Sequence, residues 1–432
     1  MPTFASRGPG LGSGRSRCGA DRGARAESYR PGPAPQGSGG ARRRGRYPVC
    51  PARRLAAQNP VSNTLQVTDL SVPGYERVVR GKDPSCGLHA IIAVHDTTLG
   101  PALGGLRMWP YASEDEALFD VKRLSRGMTF KSAVARTGLG GGKAVIIGDP
   151  KKIKSEALYL AMGRFVDSLG GKYITAEDVN TSVGDLEIIR RATKYVTGLE
   201  KKDGGSGNPS PYTAIGVFLG VKAAVGWKFG NDSLKGKVVA IQGVGAVGSA
   251  LARRLVEAGA TVHAADKNTE RLAQLQKEIG LVPTGEAEIM TMKCDVFAPC
   301  ALGAILTDTT IPKLNTPIVA GAANNLLLEP RHGKMLADRD ILYAPDYVIN
   351  AGGIINVSVE FNPGGYDEKV SLAKIERIPQ ALKELWTIAK EERIPPSDAA
   401  DRLAERIVAD ARGAKKAGSC AVPPRGRSGG GG

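Results

Sequence analysis

The run Gly243-Val244-Gly245-Ala246-Val247-Gly248 has the glycine spacing of a turn built to meet a phosphate. A strand-like apolar stretch precedes it at 238–242, a helical pattern covers 246–258, and Asp266 closes the next strand 18 residues after Gly248. In that setting Gly243 permits the tight turn, Gly245 lets a pyrophosphate reach the backbone, and Gly248 lets helix and strand pack closely. Ala246 and Val247 then open a helix whose free N–H groups and positive end favour the phosphates. A carboxylate at Asp266 accepts hydrogen bonds from ribose hydroxyls and repels a 2′-phosphate, so the expected cofactor is NAD rather than NADP.

A second glycine run, Gly138-Leu139-Gly140-Gly141-Gly142-Lys143, resembles a nucleotide-phosphate loop but fails at both ends. Thr137 stands where the first glycine is required, and Ala144 where Ser or Thr would hold magnesium. The expectation is instead that these glycines bring backbone close to a small ligand and leave Lys143 in a crowded, partly dry pocket. Desolvation lowers a lysine pKa and makes the amine usable as a base near neutrality. Twelve residues earlier, the apolar run from Gly127 ends in Lys131, and Glu177-Asp178 follows a strand at 173–175. Two lysines and a carboxylate beside a dinucleotide suit an amino-acid substrate: one cation for its carboxylate, one base and one proton carrier. Spacing alone leaves open the plain alternative that each is a solvated surface charge.

The elements needed to position these groups are legible as hydrophobic periodicity. Strands are expected at 90–94, 144–147 and 173–175, alternating with helices over 114–127 and 154–169, which is an α/β pattern. Residues 201–211 form a Gly/Ser/Pro/Asn connector and a hinge candidate. A helix over 214–225 leads to the strand–helix–strand unit at 238–242, 246–258 and 261–265. Further strands are expected at 296–298, 318–320 and 342–343, and helices at 372–388 and 399–411.

Composition narrows the function. The 432 residues are 42% apolar and 24% charged, a globular balance, and no stretch reaches the roughly 18 apolar residues of a spanning helix. The net charge of +16 lies in the ends: twelve arginines against Asp21 and Glu27 in residues 1–60, and five cations without an acid from Ala411 onward. The near-neutral body offers no basic face, so neither nucleic acid nor membrane is an expected partner. Cys18, Cys50, Cys86, Cys294, Cys300 and Cys420 show no metal or disulfide spacing and the four histidines are scattered, so no metal site is expected. A reducing compartment follows, with Cys294 and Cys300 as small core residues. The cytoplasm is the expected location, or an organelle if the Arg-rich start is a transit segment.

Taken together, the chain resembles the Glu/Leu/Phe/Val amino-acid dehydrogenase superfamily, and within it the leucine dehydrogenases. The resemblance is carried by residues 98–109, 127–131, 139–150, 173–181, 206–214, 319–326 and 343–356, spread over roughly 75–408. It implies NAD-dependent oxidative deamination of an L-amino acid to a 2-oxo acid and ammonium, by a homo-oligomer. It implies that Lys131 binds the substrate carboxylate, that Lys143 activates the water attacking the imine, and that Asp178 moves protons to and from the amino group. Thr213, Asn324 and Asn350 are implied to orient nicotinamide and substrate. The implied fold has two α/β domains separated by a cleft, the second a Rossmann-type dinucleotide-binding domain. Their expected bounds are 63–205, completed by helices in 355–411, and 206–354, flanked by a low-complexity segment 1–62 and a disordered tail 412–432.

The resemblance also bears on substrate choice. Glutamate dehydrogenases carry a lysine where this chain has Leu103, and a serine where it has Val357. A distal carboxylate would go unpaired here at a cost of several kcal/mol. The implied pocket of Leu103, Gly104, Met128, Ala176, Ile354 and Val357 is apolar, which favours leucine, valine and isoleucine. An aromatic amino acid is the alternative, and a catalytically silent dinucleotide-binding scaffold the remote one. Val359 stands where leucine dehydrogenases usually carry an acid, a departure expected to alter helix or subunit contacts near the pocket.

Overall fold

Four strands, β1 (Gln66–Leu70), β2 (Arg77–Asp83), β3 (Leu88–Asp96) and β4 (Ala102–Trp109), open the computed structural model, which describes residues 64–419. The expectations for residues 1–62 and for 420–432 lie outside the described residues. Next come α1 (Glu114–Val134), β5 (Gly140–Ile147), α2 (Glu156–Asp167), β6 (Tyr173–Glu177) and α3 (Val183–Arg190). The six strands form one sheet in the order β1-β2-β3-β5-β4-β6. β1, β2, β3 and β5 pair antiparallel, whereas β4 lies parallel between β5 and β6. Alternation along the central strands sorts apolar side chains to two faces. Ile91, Ala93 and Val145 pack under Ala117 and Val121 of α1, while Ile92, Ala144 and Ile146 pack with Phe165 of α2. Both faces being covered, these strands read as continuous apolar runs.

Two sequence expectations change here, and both move the site. α1 does not stop at residue 127 but runs on to Val134, because Ser125, Thr129 and Ala133 continue its buried face and exposed Gly127 meets nothing that would end it. Lys131 therefore rides on the last turn of a rigid helix. The second glycine run is likewise not a ligand-facing loop, since β5 begins at Gly140. A Cβ at Gly140 would collide with the Asp96 carbonyl, one at Gly141 with Thr129, and one at Gly142 would lie 2.7 Å from the Tyr173 ring. The close approach that these glycines permit is thus to α1, β3 and β6, not to a small molecule.

The connector at 201–211 holds one 3-10 turn, Lys201–Asp203, before α4 (Ser210–Phe229) begins. Ser206 is buried there and donates its N–H to Glu360 Oε1 at 2.7 Å, so the hinge candidate is anchored at its centre. The second sheet follows: β7 (Val238–Gln242), α5 (Ala246–Glu257), β8 (Thr261–Ala265), α6 (Thr269–Ile279), β9 (Val282–Pro283), β10 (Val296–Pro299), β11 (Ile318–Val319), α7 (Arg331–Asp338) and β12 (Leu342–Tyr343). Its order is β12-β11-β10-β7-β8-β9, with all strands parallel. The chain leaves β7 for β8 on one side and resumes at β10 on the other, which opens a crevice beyond the C-terminal end of β7.

Five helices complete the chain: α8 (Asp346–Ile349), α9 (Gly352–Ser358), α10 (Glu368–Ile375), α11 (Ile378–Glu392) and α12 (Pro396–Ser419). The single helix expected over 372–388 is two, because Pro379 lacks the N–H that a continuing helix needs and is tolerated only in the first turn of α11. The segment expected to be disordered from 412 is helical as far as Ser419, and Arg412 pairs with Asp96. α11 packs on α4, and α12 on α1 and α11, so the chain end returns to the first sheet within one compact unit.

Candidate active site

Lys131, Lys143 and Asp178 arrive from three different elements. α1 carries Lys131 at its C-terminal turn, where the ammonium donates to Asn350 Oδ1 at 2.6 Å. Asn350, buried just after α8, donates in turn to the Ala322 carbonyl at 3.0 Å and to Asn324 Oδ1 at 2.7 Å. One side-chain amide therefore joins the lysine of α1 to the loop beyond β11. Burial pulls the Lys131 ammonium down to about 8, opposed by the half-buried Asp346 carboxylate.

Lys143 lies on β5 with 5% of its surface exposed, and its ammonium pairs with the Asp178 carboxylate. Burial pulls it down to about 7; the Arg107 and Lys131 charges pull the same way and Asp120 opposes them. Asp178, in contact, also works against that pull. The balance leaves an amine that exchanges its proton near neutrality.

Asp178 sits in the turn after β6, and that turn is stitched to the end of β4. The Asp178 N–H donates to Thr181 Oγ1, Thr181 Oγ1 donates to the Leu106 carbonyl at 2.8 Å, and Asn180 Nδ2 donates to the Met108 carbonyl at 3.0 Å. Gly105 leaves the room this needs, for a Cβ there would stand 2.7 Å from Asp178 Cβ. Parallel strands β4, β5 and β6 thus deliver Lys143 and Asp178 to one place beside β4.

The pocket residues divide. Leu103, Ile354 and Val357 belong to one cluster of buried apolar side chains, with Met128 packed against it. Gly104 and half-buried Ala176 sit at adjoining registers of β4 and β6. Gly104 has a structural reason to be glycine, since a Cβ would strike the Gly142 carbonyl. Val359 is wholly buried, so the acid it replaces would be a buried acid here.

At the second sheet, Gly243 takes the left-handed φ of 97° that the turn out of β7 requires. A Cβ on Gly248 would collide with the Gly243 carbonyl, while one on Gly245 meets no protein atom within 4 Å. Gly245 also caps α5 without a side chain, leaving the first N–H groups of Ala246, Val247 and Gly248 free for an anion. Asp266 follows β8 and accepts the Val244 N–H on Oδ2 at 2.7 Å, which holds its carboxylate beside the turn. Thr213, on the first turn of α4, lies against Gly352 and Gly353, and Asn324 is exposed on the same side as Asn350. An open glycine, free helix N–H groups and a fixed carboxylate fit a dinucleotide. No group of three metal-ligating side chains occurs among the described residues.

Three polar residues of the site were not singled out by sequence reasoning: Arg107, Asp120 and Asp346. Arg107 is inside a segment that carried the family resemblance, and a lone charge between Leu106 and Met108 was the available signal. Asp120 and Asp346 carry none, because their roles depend on which strand and helix ends meet.

The family model described as the Glu/Leu/Phe/Val dehydrogenase dimerisation domain matches residues 76–195, and that for Glutamate/Leucine/Phenylalanine/Valine dehydrogenase matches 204–270 and 264–415. The chain is 53% identical over 341 residues to a leucine dehydrogenase of Geobacillus stearothermophilus, covering 79% of this chain and 92% of that one. It is 48% identical over 359 residues to a valine dehydrogenase of Streptomyces virginiae, covering 82% and 99%. Among solved structures, the L-tryptophan dehydrogenase of Nostoc punctiforme superposes with a TM-score of 0.71 at 45% identity, covering 78% of this chain and 97% of that one.

Proposed function

The chain belongs to the Glu/Leu/Phe/Val dehydrogenase family and is an oxidoreductase acting on amino acids, and from that premise we propose NAD-dependent, reversible oxidative deamination of a branched-chain L-amino acid. The observation that carries this reading is the buried Lys143 paired with Asp178, with Lys131 close enough for its charge to act on the same amine. Leucine is the leading substrate, with valine and isoleucine accepted, because one methylene changes transition-state binding by only about 1–3 kcal/mol. The 2-oxo acid, ammonium and NADH are the products.

In this reading the first sheet with the returning helices binds the amino acid, and residues 206–354 bind the dinucleotide. Residues 243–248 and Asp266 would hold the adenosine and pyrophosphate, and Thr213, Asn324 and Asn350 would orient the nicotinamide end of a dinucleotide, which when bound supplies a hydride acceptor for the substrate Cα. Lys131 receives the substrate carboxylate in exchange for part of its bond to Asn350. Asp178 takes a proton from the substrate ammonium, so that the nitrogen lone pair can form the imine as the Cα–H bond breaks. Lys143 in its neutral form then takes a proton from the water that adds to the imino carbon, giving the carbinolamine. Asp178 returns its proton to the nitrogen; the hydroxyl oxygen then forms the carbonyl as the C–N bond breaks, and its proton goes to the departing ammonia, which leaves as ammonium. Leu103, Met128, Ile354 and Val357 exclude water from the side-chain end and offer no partner to a distal carboxylate.

Self-association through the segment matched by the dimerisation model is part of the proposal, as is a reducing, cytoplasmic setting for Cys86, Cys294 and Cys300, which are free thiols. Cys294 is buried, while Cys300 is only half-buried. The deciding experiment follows NADH absorbance with leucine, valine, phenylalanine and glutamate, each with NAD and with NADP. Turnover confined to the branched-chain substrates with NAD supports the reading. Preference for phenylalanine moves it to the aromatic alternative, and no turnover with any amino acid leaves only a scaffold.

A further inference from the structure

Arg107 stands near the C-terminal end of β4, between Leu106 and Met108, which are wholly buried. Its Nη1 donates to Asp120 Oδ2 at 2.8 Å, and its Nη2 lies 3.7 Å from Asp178 Oδ1. Its Nε is buried without an acceptor. A guanidinium in this position is held by one acid and turned toward another. Asp120 is itself fixed, accepting the Tyr111 hydroxyl at 2.7 Å and Arg123 Nη2 at 3.1 Å. Burial would raise its carboxyl, but the Tyr111 hydrogen bond with the Arg107 and Arg123 charges outweighs burial and keeps it ionised.

We propose that Arg107 is a positioning residue for the deamination: clamped by Asp120, its guanidinium orients the Asp178 carboxylate against Lys143 and supplies a permanent cation beside that amine. The proposal rests on the assignment of Lys143 and Asp178 above. The charged groups that act on Lys143 are Arg107 from β4, Asp120 and Lys131 from α1, and Asp178 from the turn after β6. Two of these are cations that oppose protonation of the amine and two are acids that favour it. Arg107 is the cation of largest effect, so its removal tips the balance toward the protonated lysine. A planar fork can hold Asp120 with one nitrogen and face Asp178 with another, which a lysine ammonium at the same site cannot reproduce.

The test measures kcat/KM for leucine deamination against pH in the wild type, Arg107→Met and Arg107→Lys. In Arg107→Met the rising limb is expected to move alkaline by about one pH unit, an approximately tenfold loss below the limb, with KM for NAD unchanged. Arg107→Lys restores the charge, so its limb is expected near that of the wild type while kcat falls for want of the fork, and added guanidinium recovers activity in Arg107→Met. A limb unmoved in Arg107→Met, or a wild-type kcat in Arg107→Lys, overturns the proposal. Should Arg107→Met not fold, the kcat of Arg107→Lys still decides it. A wild type without amino-acid turnover sinks the parent reading instead, and the two failures are separable in one series.

Discussion

A lysine amine is a useful base only where water is scarce, and Lys143 is placed where β3, β4, β5 and α1 exclude water. The resulting pKa near 7 sets a sign. The amine accepts a proton only when neutral, so kcat/KM for deamination is expected to rise with pH through about 7, and the reverse amination to lose its acid form over the same interval. Stopped-flow or steady-state profiles of wild type against Lys143→Ala check this: the variant should lose the limb along with at least 10²-fold of the rate, the usual worth of a positioned base. Asp178→Asn keeps the shape and removes the proton carrier, and a similar loss is expected. Both variants should still quench or enhance NADH fluorescence on binding, because neither residue belongs to the glycine turn. Wild-type rates in either variant would remove that residue from the mechanism.

At the scale of elements, glycines separate structural from functional need. Gly104→Ala places a Cβ on the Gly142 carbonyl in the adjoining strand, and a lowered melting temperature or insoluble protein is expected. Gly245→Ala meets no protein atom, and its φ of −63° suits alanine, so its melting temperature should match wild type. Its NADH affinity should nevertheless fall at least tenfold, since the new methyl stands where pyrophosphate approaches. Equal affinity would refute the assignment of that turn. The glycines also mark what was legible beforehand. The 243–248 turn could be read because its strand, helix and carboxylate follow one another along the chain, within a single local unit. The 138–143 run could not, because its neighbours Asp96, Thr129 and Tyr173 come from β3, α1 and β6, and only the folded sheet brings them near. The same distinction separates Lys131, legible as a cation ending an apolar run, from Asn350, whose bridge to it spans 219 residues. The break between α10 and α11 was visible in principle at Pro379, yet apolar periodicity on both sides masked it.

For the molecule as a whole, α12 fastens the two sheets together. Asp401 accepts the hydroxyl of Tyr347 in α8 at 2.8 Å and lies 3.9 Å from Arg126 of α1, while Glu405 lies 3.6 Å from the same arginine. Tyr347 N–H meanwhile donates to Asp346, the half-buried acid whose charge acts on Lys131. The strap therefore reaches the substrate lysine through one residue on each side: Arg126, five positions before Lys131 on α1, and Tyr347, three before Asn350. The Arg126 pairs are half exposed and contribute little, but the Tyr347 hydroxyl bond is half-buried, where a hydrogen bond contributes about 1 kcal/mol. Asp401→Ala is thus expected to lower the melting temperature by a few degrees, and Tyr347→Phe to cost less, because it removes the donor along with its need. The double variant should be less destabilised than the sum of the singles, as expected for groups in direct contact. Calorimetry on the full chain measures all three. Strict additivity would show that Asp401 and Tyr347 act separately, and that the return of the C-terminal helix to the first sheet depends on apolar packing alone.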